Sequence, residues 1–159
     1  MSTTATNTVL RTARADDAAR IHEIHLASVR TLCAPCYAPE IIEGWLMNRR
    51  AERYLEAIGR RRMFVAERAG MIAGFGEAVP GTVNAIFVDP AYAGFGVGRL
   101  LLKHAIEMAR QDHDGPIMLE ATLNARDFYE RAGFREVLRS TTRRNQVDIP
   151  MVVMELDAD

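Results

Sequence analysis

The chain has 159 residues, of which 48% are hydrophobic and 26% charged, with a formal net charge of −1. These are ordinary globular values at a length that fits one domain over residues 1–159 with a proper core, and they give no basic surplus for nucleic acid or an anionic membrane. No stretch approaches the ~18 consecutive apolar residues of a membrane span, and the start, MSTTATNT, lacks a charged-then-apolar secretory pattern. The reading is a cytoplasmic protein whose polar residues 1–7 fray.

Thr8 to Ala13 reads as a strand, and Asp16 or Asp17 is placed to cap the helix that follows. Ala19, Ile21, Ile24, Ala27 and Ser28 give that helix an inward face as far as Leu32. After Cys33-Ala34-Pro35-Cys36, a second helix starts at Pro39 and carries Ile41, Ile42, Trp45, Leu46 and Met47; a third, short helix covers Ala51 to Ile58. Met63–Glu67 and Ile72–Val79 are strands joined by a turn at Ala69-Gly70, and Pro80-Gly81 leads into the central strand.

That central strand, Val83 to Val88, alternates with period two, which puts Ile86 and Val88 on one side and Val83, Ala85 and Phe87 on the other. Asp89-Pro90 stops it. Gly94, Gly96 and Gly98 then alternate with Phe95 and Val97, and from Val97 the period becomes helical, with Val97, Leu100, Leu101, Ala105 and Met108 sharing a face. Free N–H groups at a helix start favour anions, and glycines remove the Cβ atoms that hold a phosphate away. A plain tight loop explains the glycines equally well on spacing alone. A Gly-Lys-Ser/Thr P-loop is absent, and GFGVG lacks the last spacing of a dinucleotide fingerprint. Downstream, Asp114-Gly115-Pro116 breaks the chain before a strand at Ile117–Thr122. Asn124 is placed to cap a helix carrying Ala125, Phe128, Tyr129 and Ala132, which Gly133 ends; Phe134–Leu138 and Val147–Leu156 are the last strands. This order describes an α/β (α+β) domain with a mixed, mostly antiparallel central sheet flanked by helices.

Val88-Asp89-Pro90 followed by Gly94-Phe95-Gly96-Val97-Gly98-Arg99-Leu100-Leu101 resembles the acetyl-CoA signature of the GNAT N-acetyltransferase superfamily, Q/R-x-x-G-x-G/A, with Ala93 at the Q/R position. Asn124 to Phe134 resembles the family's later motif around its tyrosine, and Leu10-Arg11-Thr12-Ala13 its first strand. The resemblance implies an acyl-CoA N-acyltransferase fold in which the central strand and the one after its helix splay apart to admit acetyl-CoA. It implies cofactor contacts at Phe87, Val88, Gly94, Phe95, Gly96, Val97, Gly98, Arg99 and Asn124. It also implies direct acetyl transfer to an amine in a ternary complex, with Tyr129 as the general acid that protonates the departing thiolate. The acceptor is expected to be a small-molecule amine. A protein amine and a catalytically silent acyl-CoA-binding module are the alternatives, and a homodimer is compatible with the family.

The amine must lose a proton, and two carboxylates are candidates for the base: Glu120, on the strand before Tyr129, and Glu77. Cys33 and Cys36 with His22 and His25 make a formal Cys₂His₂ set. Ordinary buried thiols are the preferred reading, with a place in the acceptor pocket's lining as the middle option, so no metal is expected. The arginines at 49, 50, 53, 60, 61 and 62 read first as a solvated flank, and second as partners for the coenzyme's phosphate or for an acidic acceptor.

Overall fold

The computed structural model describes residues 7–159, so most of the polar start expected to fray lies outside the described residues. Strand β1 (Thr8–Thr12) leads through a 3₁₀ turn (Ala15–Asp17) into α1 (Ala18–Leu32). Next come α2 (Pro39–Leu46), a 3₁₀ turn (Ala51–Tyr54) and α3 (Leu55–Gly59). Strands β2 (Met63–Arg68), β3 (Met71–Val79) and β4 (Thr82–Val88) precede α4 (Val97–Arg110). The chain closes with β5 (Ile117–Thr122), α5 (Arg126–Arg131), β6 (Arg135–Arg144) and β7 (Val147–Leu156). The expected cap at Asp16 or Asp17 takes a different form: Asp17 Oδ2 accepts from the Arg14 N–H at 2.7 Å and from Arg11 at 2.8 Å, so it locks the turn before α1.

All seven strands form one sheet in the order β1-β2-β3-β4-β5-β7-β6. Every neighbouring pair is antiparallel except β4 and β5, which run parallel and pair only at Thr82↔Met118 and Val83↔Leu119. Beyond those residues the two strands part. The cause lies in β4. Its register against β3 runs Glu77↔Ala85 and then Ala78↔Val83, which leaves Asn84 as an extra residue, a β-bulge.

The bulge also resets which way side chains point. Val83 was expected beside Ala85 and Phe87, yet it packs with Ile86 and Val88 against the core under α4, while Ala85 and Phe87 face the core under α1. One inserted residue shifts the period-two alternation by one, which simple alternation cannot foresee. The first of these cores holds Phe64, Leu101, Tyr129 and Met154; the second holds Ile21, Ile24, Met63 and Phe75; a third joins Val29, Trp45 and Ile149.

Three further expectations shift. In α4, Leu100 is 39% exposed whereas Leu102 and Ala109 are buried, so the inward face is rotated from the one read in sequence. Asn124 caps no helix: it sits inside a 3₁₀ turn (Leu123–Ala125), and α5 starts from Ala125 without a side-chain cap. Strand β6 runs on to Arg144, well past Leu138, because Ser140, Thr141 and Thr142 pair with Met151, Pro150 and Ile149. The hairpin turns on Asn145-Gln146, both at positive φ (47° and 68°), a mirror-image turn made without the usual glycine.

Candidate active site

The site grows from the gap between β4 and β5. The Asp89 N–H donates to Ala73 O of β3 at 2.8 Å, and Phe87 pairs with Phe75 of the same strand. Backbone groups alternate along a strand, so Ile86 and Val88 turn their N–H and C=O groups into the gap. Of the two residues assigned from sequence, Val88 therefore offers its backbone there, and Ile86 joins it. Phe87 offers its ring, which stacks on His25 at a centroid distance of 4.3 Å.

Asp89 then fixes the chain's exit. Its Oδ1 accepts from the Ala91 N–H at 2.9 Å, and its Oδ2 accepts from Arg20 of α1 at 2.6 Å. The glycine turn that follows forms one wall of a cleft of about 1010 Å³, lined among others by Val88, Gly94, Gly96, Val97, Gly98, Arg99, Asn124, Phe128 and Tyr129. Gly96 stands at the N-cap of α4 with φ +79°, a left-handed backbone that favours glycine. The first helical bond of α4 is Leu100 N–H to Gly96 O, so the N–H groups ahead of it have no helical partner. A Cβ placed on Gly94 or Gly96 would stand in open space, and one on Gly98 would reach 3.4 Å from Phe128 and 3.5 Å from Val88. Bare backbone, unpaired N–H groups and a helix N-terminus suit a phosphate-bearing ligand. Phe95 stands apart: its ring is 57% exposed, lies under the Arg68 guanidinium at 4.9 Å, and does not line the cleft.

Tyr129 comes from α5 and packs edge-on against Phe128 and Phe134, with centroids at 5.1 and 5.8 Å. Burial pushes its phenol well above the ordinary range, and no hydrogen bond from a described residue opposes that shift. It is thus a proton-bearing group at the wall of the cleft, free to donate.

Beside the cleft, beneath α1 and α2, lies a smaller pocket of about 350 Å³, lined by residues that include His25, Trp45, Arg49, Arg53, Tyr54, Glu77, Phe87, Glu120 and Arg144. Phe87 lines both cavities, which thereby meet at the gap. Glu120 Oε1 accepts from Ser140 Oγ at 2.8 Å and Thr142 Oγ1 at 3.0 Å. Glu77 is half-buried; desolvation raises its pKa, with the Arg62 charge opposing. His25 Nδ1 lies 2.8 Å from Tyr54 Oη and 3.4 Å from Arg49 Nη1. Burial and then the Arg49 charge push its pKa down to about 3, so the imidazole is neutral.

The structure separates groups that the sequence left together. Cys33 is buried and lines the larger cleft rather than the smaller pocket, and burial pushes its thiol up to about 11; Cys36 is exposed. Among the described residues no three His, Cys, Asp or Glu side chains gather as a metal-binding group. Of the arginine run, Arg49 and Arg53 line the pocket, Arg60 pairs with Glu56 at 3.2 Å, and Arg62 acts on Glu77. His25, Trp45, Tyr54, Asn84, Thr142 and Arg144 carried no signal for this pocket in sequence, since they come from five separate elements brought together only by the fold.

Among the described residues no helix is long and apolar enough to cross a membrane. The chain is 26% identical over 131 residues to the uncharacterized N-acetyltransferase YafP of Escherichia coli, covering 82% of this chain and 83% of that one. Its fold superposes on a GCN5-related N-acetyltransferase from Rhodopseudomonas palustris with a TM-score of 0.90 at 23% identity, covering 98% and 99% of the two chains. The PaiA N-acetyltransferase of Thermoplasma acidophilum, solved in complex with coenzyme A, gives 0.74 at 20% identity, covering 95% and 99%. The acetyltransferase (GNAT) domain matches residues 33–157, and with the splayed β4–β5 pair and the glycine turn in place, the chain belongs to the GNAT family of acetyl-CoA-dependent N-acetyltransferases.

Proposed function

We propose that the protein transfers the acetyl group of acetyl-CoA to a primary amine of a small molecule, with both substrates bound at once in the two adjoining cavities. The observation that carries this is the pair of cavities meeting at the β4–β5 gap, with Phe87 in the wall of each. The smaller one, about 350 Å³, is of small-ligand size. The glycine turn and the start of α4 hold the pyrophosphate, Val88 and Ile86 hold the pantetheine arm by their backbone, and Asn124 lines the same path. Acetyl-CoA supplies an acyl group already activated as a thioester.

The chain's own groups manage two protons. Tyr129, kept protonated by burial, gives its proton to the departing sulfur as the C–S bond breaks, and is restored by the second proton that the nitrogen loses as the amide forms. Glu77, whose proton affinity burial raises, takes the proton of the acceptor ammonium. Glu120, with Oε1 already held by two hydroxyls, offers Oε2 to hold that ammonium in place. The test is thiol release from acetyl-CoA with a panel of small amines and lysine peptides, run on wild type, Glu77→Gln and Glu120→Gln. The expected result is turnover of small amines, a kcat lower by roughly 10²–10⁴ in Glu77→Gln and a raised KM in Glu120→Gln. Turnover confined to lysine peptides rejects the small-molecule acceptor, and full rates in Glu77→Gln remove it as the base.

A further inference from the structure

The acceptor-side pocket carries more positive charge than an amine acceptor alone would call for. Its wall holds Arg49, Arg53 and Arg144, and its floor holds Glu77 and Glu120, on the strands that flank β4 on either side. His25, the remaining titratable group in the wall besides Tyr54, is neutral and offsets none of that charge. Among the described residues, none of the three guanidiniums lies within 4.0 Å of a carboxylate, whereas Arg143, next to Arg144, pairs with Asp148 at 2.7 Å.

Arg49 is the most telling of the three. It is half-buried, its Nε is buried with no hydrogen-bond partner, and its polar neighbours, the neutral His25 at 3.4 Å and the Tyr54 hydroxyl, carry no charge to balance it. A guanidinium taken partly out of water without an anion is costly, and a bound oxyanion relieves that cost. The tip of the β6–β7 hairpin brings Arg144 to the same wall. Asn145 Nδ2 donates to Gly44 O at 2.8 Å and to Met47 O at 2.7 Å, which docks the hairpin on the end of α2 just ahead of Arg49.

Charge is therefore sorted by position, with carboxylates on the sheet beside the gap and guanidiniums that lack a carboxylate partner on the wall formed by the α2–α3 connection and the hairpin. A simple ammonium gains from the floor and is repelled by the wall. A molecule with an ammonium at one end and an oxyanion at the other gains from both. Resting on the acetyltransferase reading above, we propose that the acceptor bears an acidic group, a carboxylate or a phosphate, as well as its amine, and that Arg49, Arg53 and Arg144 bind that group. Guanidinium forks suit either oxyanion, and specificity by this means is strong because the pairs are charge-assisted.

The test compares matched pairs: amino acids against the amines left by removing their carboxyl group, and O-phosphoethanolamine against ethanolamine. Two readouts are used, thiol release with acetyl-CoA and quenching of Trp45, the single tryptophan of the chain and a residue of the pocket wall. One acid-bearing series is expected to lead its partner by at least tenfold in kcat/KM, and the series that leads tells carboxylate from phosphate. That ratio is expected to fall roughly 10–100-fold in Arg53→Gln and in Arg144→Gln, both exposed positions where the fold is not at stake. Preference for the acid-free amine, or a ratio unchanged in both variants, overturns the proposal. If no compound is acetylated, the acetyltransfer reading fails separately, and the Trp45 titration still decides. Saturable quenching by acid-bearing amines that weakens in both arginine variants upholds the acidic acceptor, and no quenching by any of them rejects it.

Discussion

The two cavities that meet at the β4–β5 gap are made in different ways. The larger cleft, proposed for the cofactor, takes just over half of its lining from one contiguous run, from Ile86 through the glycine turn into α4, and the rest from α1 and from Thr122 to Ala132; what the run offers is mainly backbone: strand N–H and C=O groups, bare Cα atoms and a helix N-terminus. The smaller pocket, proposed for the acceptor, is made of side chains from His25 to Met151, drawn from α1, α2, the 3₁₀ turn after it and every strand but β1, with one to three from each. A backbone device must keep its sequence spacing and tolerates few side chains. A pocket of side chains can be repopulated position by position while the sheet beneath it stays the same. One fold can thus keep one activated donor and change its acceptors.

Breaking the chemistry where the cavities meet is expected to give the largest effect. In Tyr129→Phe the ring and its packing on Phe128 and Phe134 remain, and only the hydroxyl goes. Turnover should fall by roughly 10²–10⁴ while the acetyl-CoA dissociation constant and the unfolding midpoint stay near wild type. Normal turnover in a folded variant would reduce Tyr129 to a core residue.

A smaller effect sharpens the acceptor side of the comparison. His25 is buried neutral between Tyr54 and Phe87, and its folded-state pKa is about 3 against an ordinary 6.5. As pH falls, the unfolded chain takes up the proton first. Stability is therefore full above about pH 6.5, declines by ~1.4 kcal/mol per pH unit below it, and levels off near pH 3. His22, also lowered by burial, adds with the same sign, whereas Asp17 is lowered from an ordinary 3.8 and acts only in stronger acid. Between pH 6.5 and pH 5 the loss from His25 alone is about 2 kcal/mol. Urea unfolding at pH 7 and pH 5 should show this loss in wild type and a much smaller one in His25→Gln. The same decline in both proteins would mean that His25 is not held neutral.

The same contrast decides what could be read before the structure. The helix and strand order was legible because α1, α4 and α5 keep a helical period and β2, β3 and β7 are apolar runs between clear turns. The glycine turn was legible because its chemistry is local. The bulge at Asn84 was not: nothing in VNAIFV marks an extra residue, and so Val83 was assigned to the wrong face. The β6–β7 hairpin hid behind three arginines and an Asn-Gln turn. Of the arginine run, sequence gave no reason to prefer Arg49 and Arg53 over Arg50 or Arg61, since only the packing of α2 against the hairpin selects them.

The central claim is that bare backbone at the start of α4 holds the donor, and calorimetric titration of acetyl-CoA into wild type and Gly98→Val tests it most directly. Gly98 is the cleaner site, because Gly96 at φ +79° would be strained by any side chain, whereas Gly98 is helical and its Cβ meets Phe128 and Val88 at ordinary contact distance. The added side chain then stands beside Phe128 and Val88, both of which line the cleft. The account predicts one-to-one binding to wild type and an affinity at least tenfold weaker in Gly98→Val, with the unfolding midpoint little changed. Equal affinity in a folded Gly98→Val protein would contradict it.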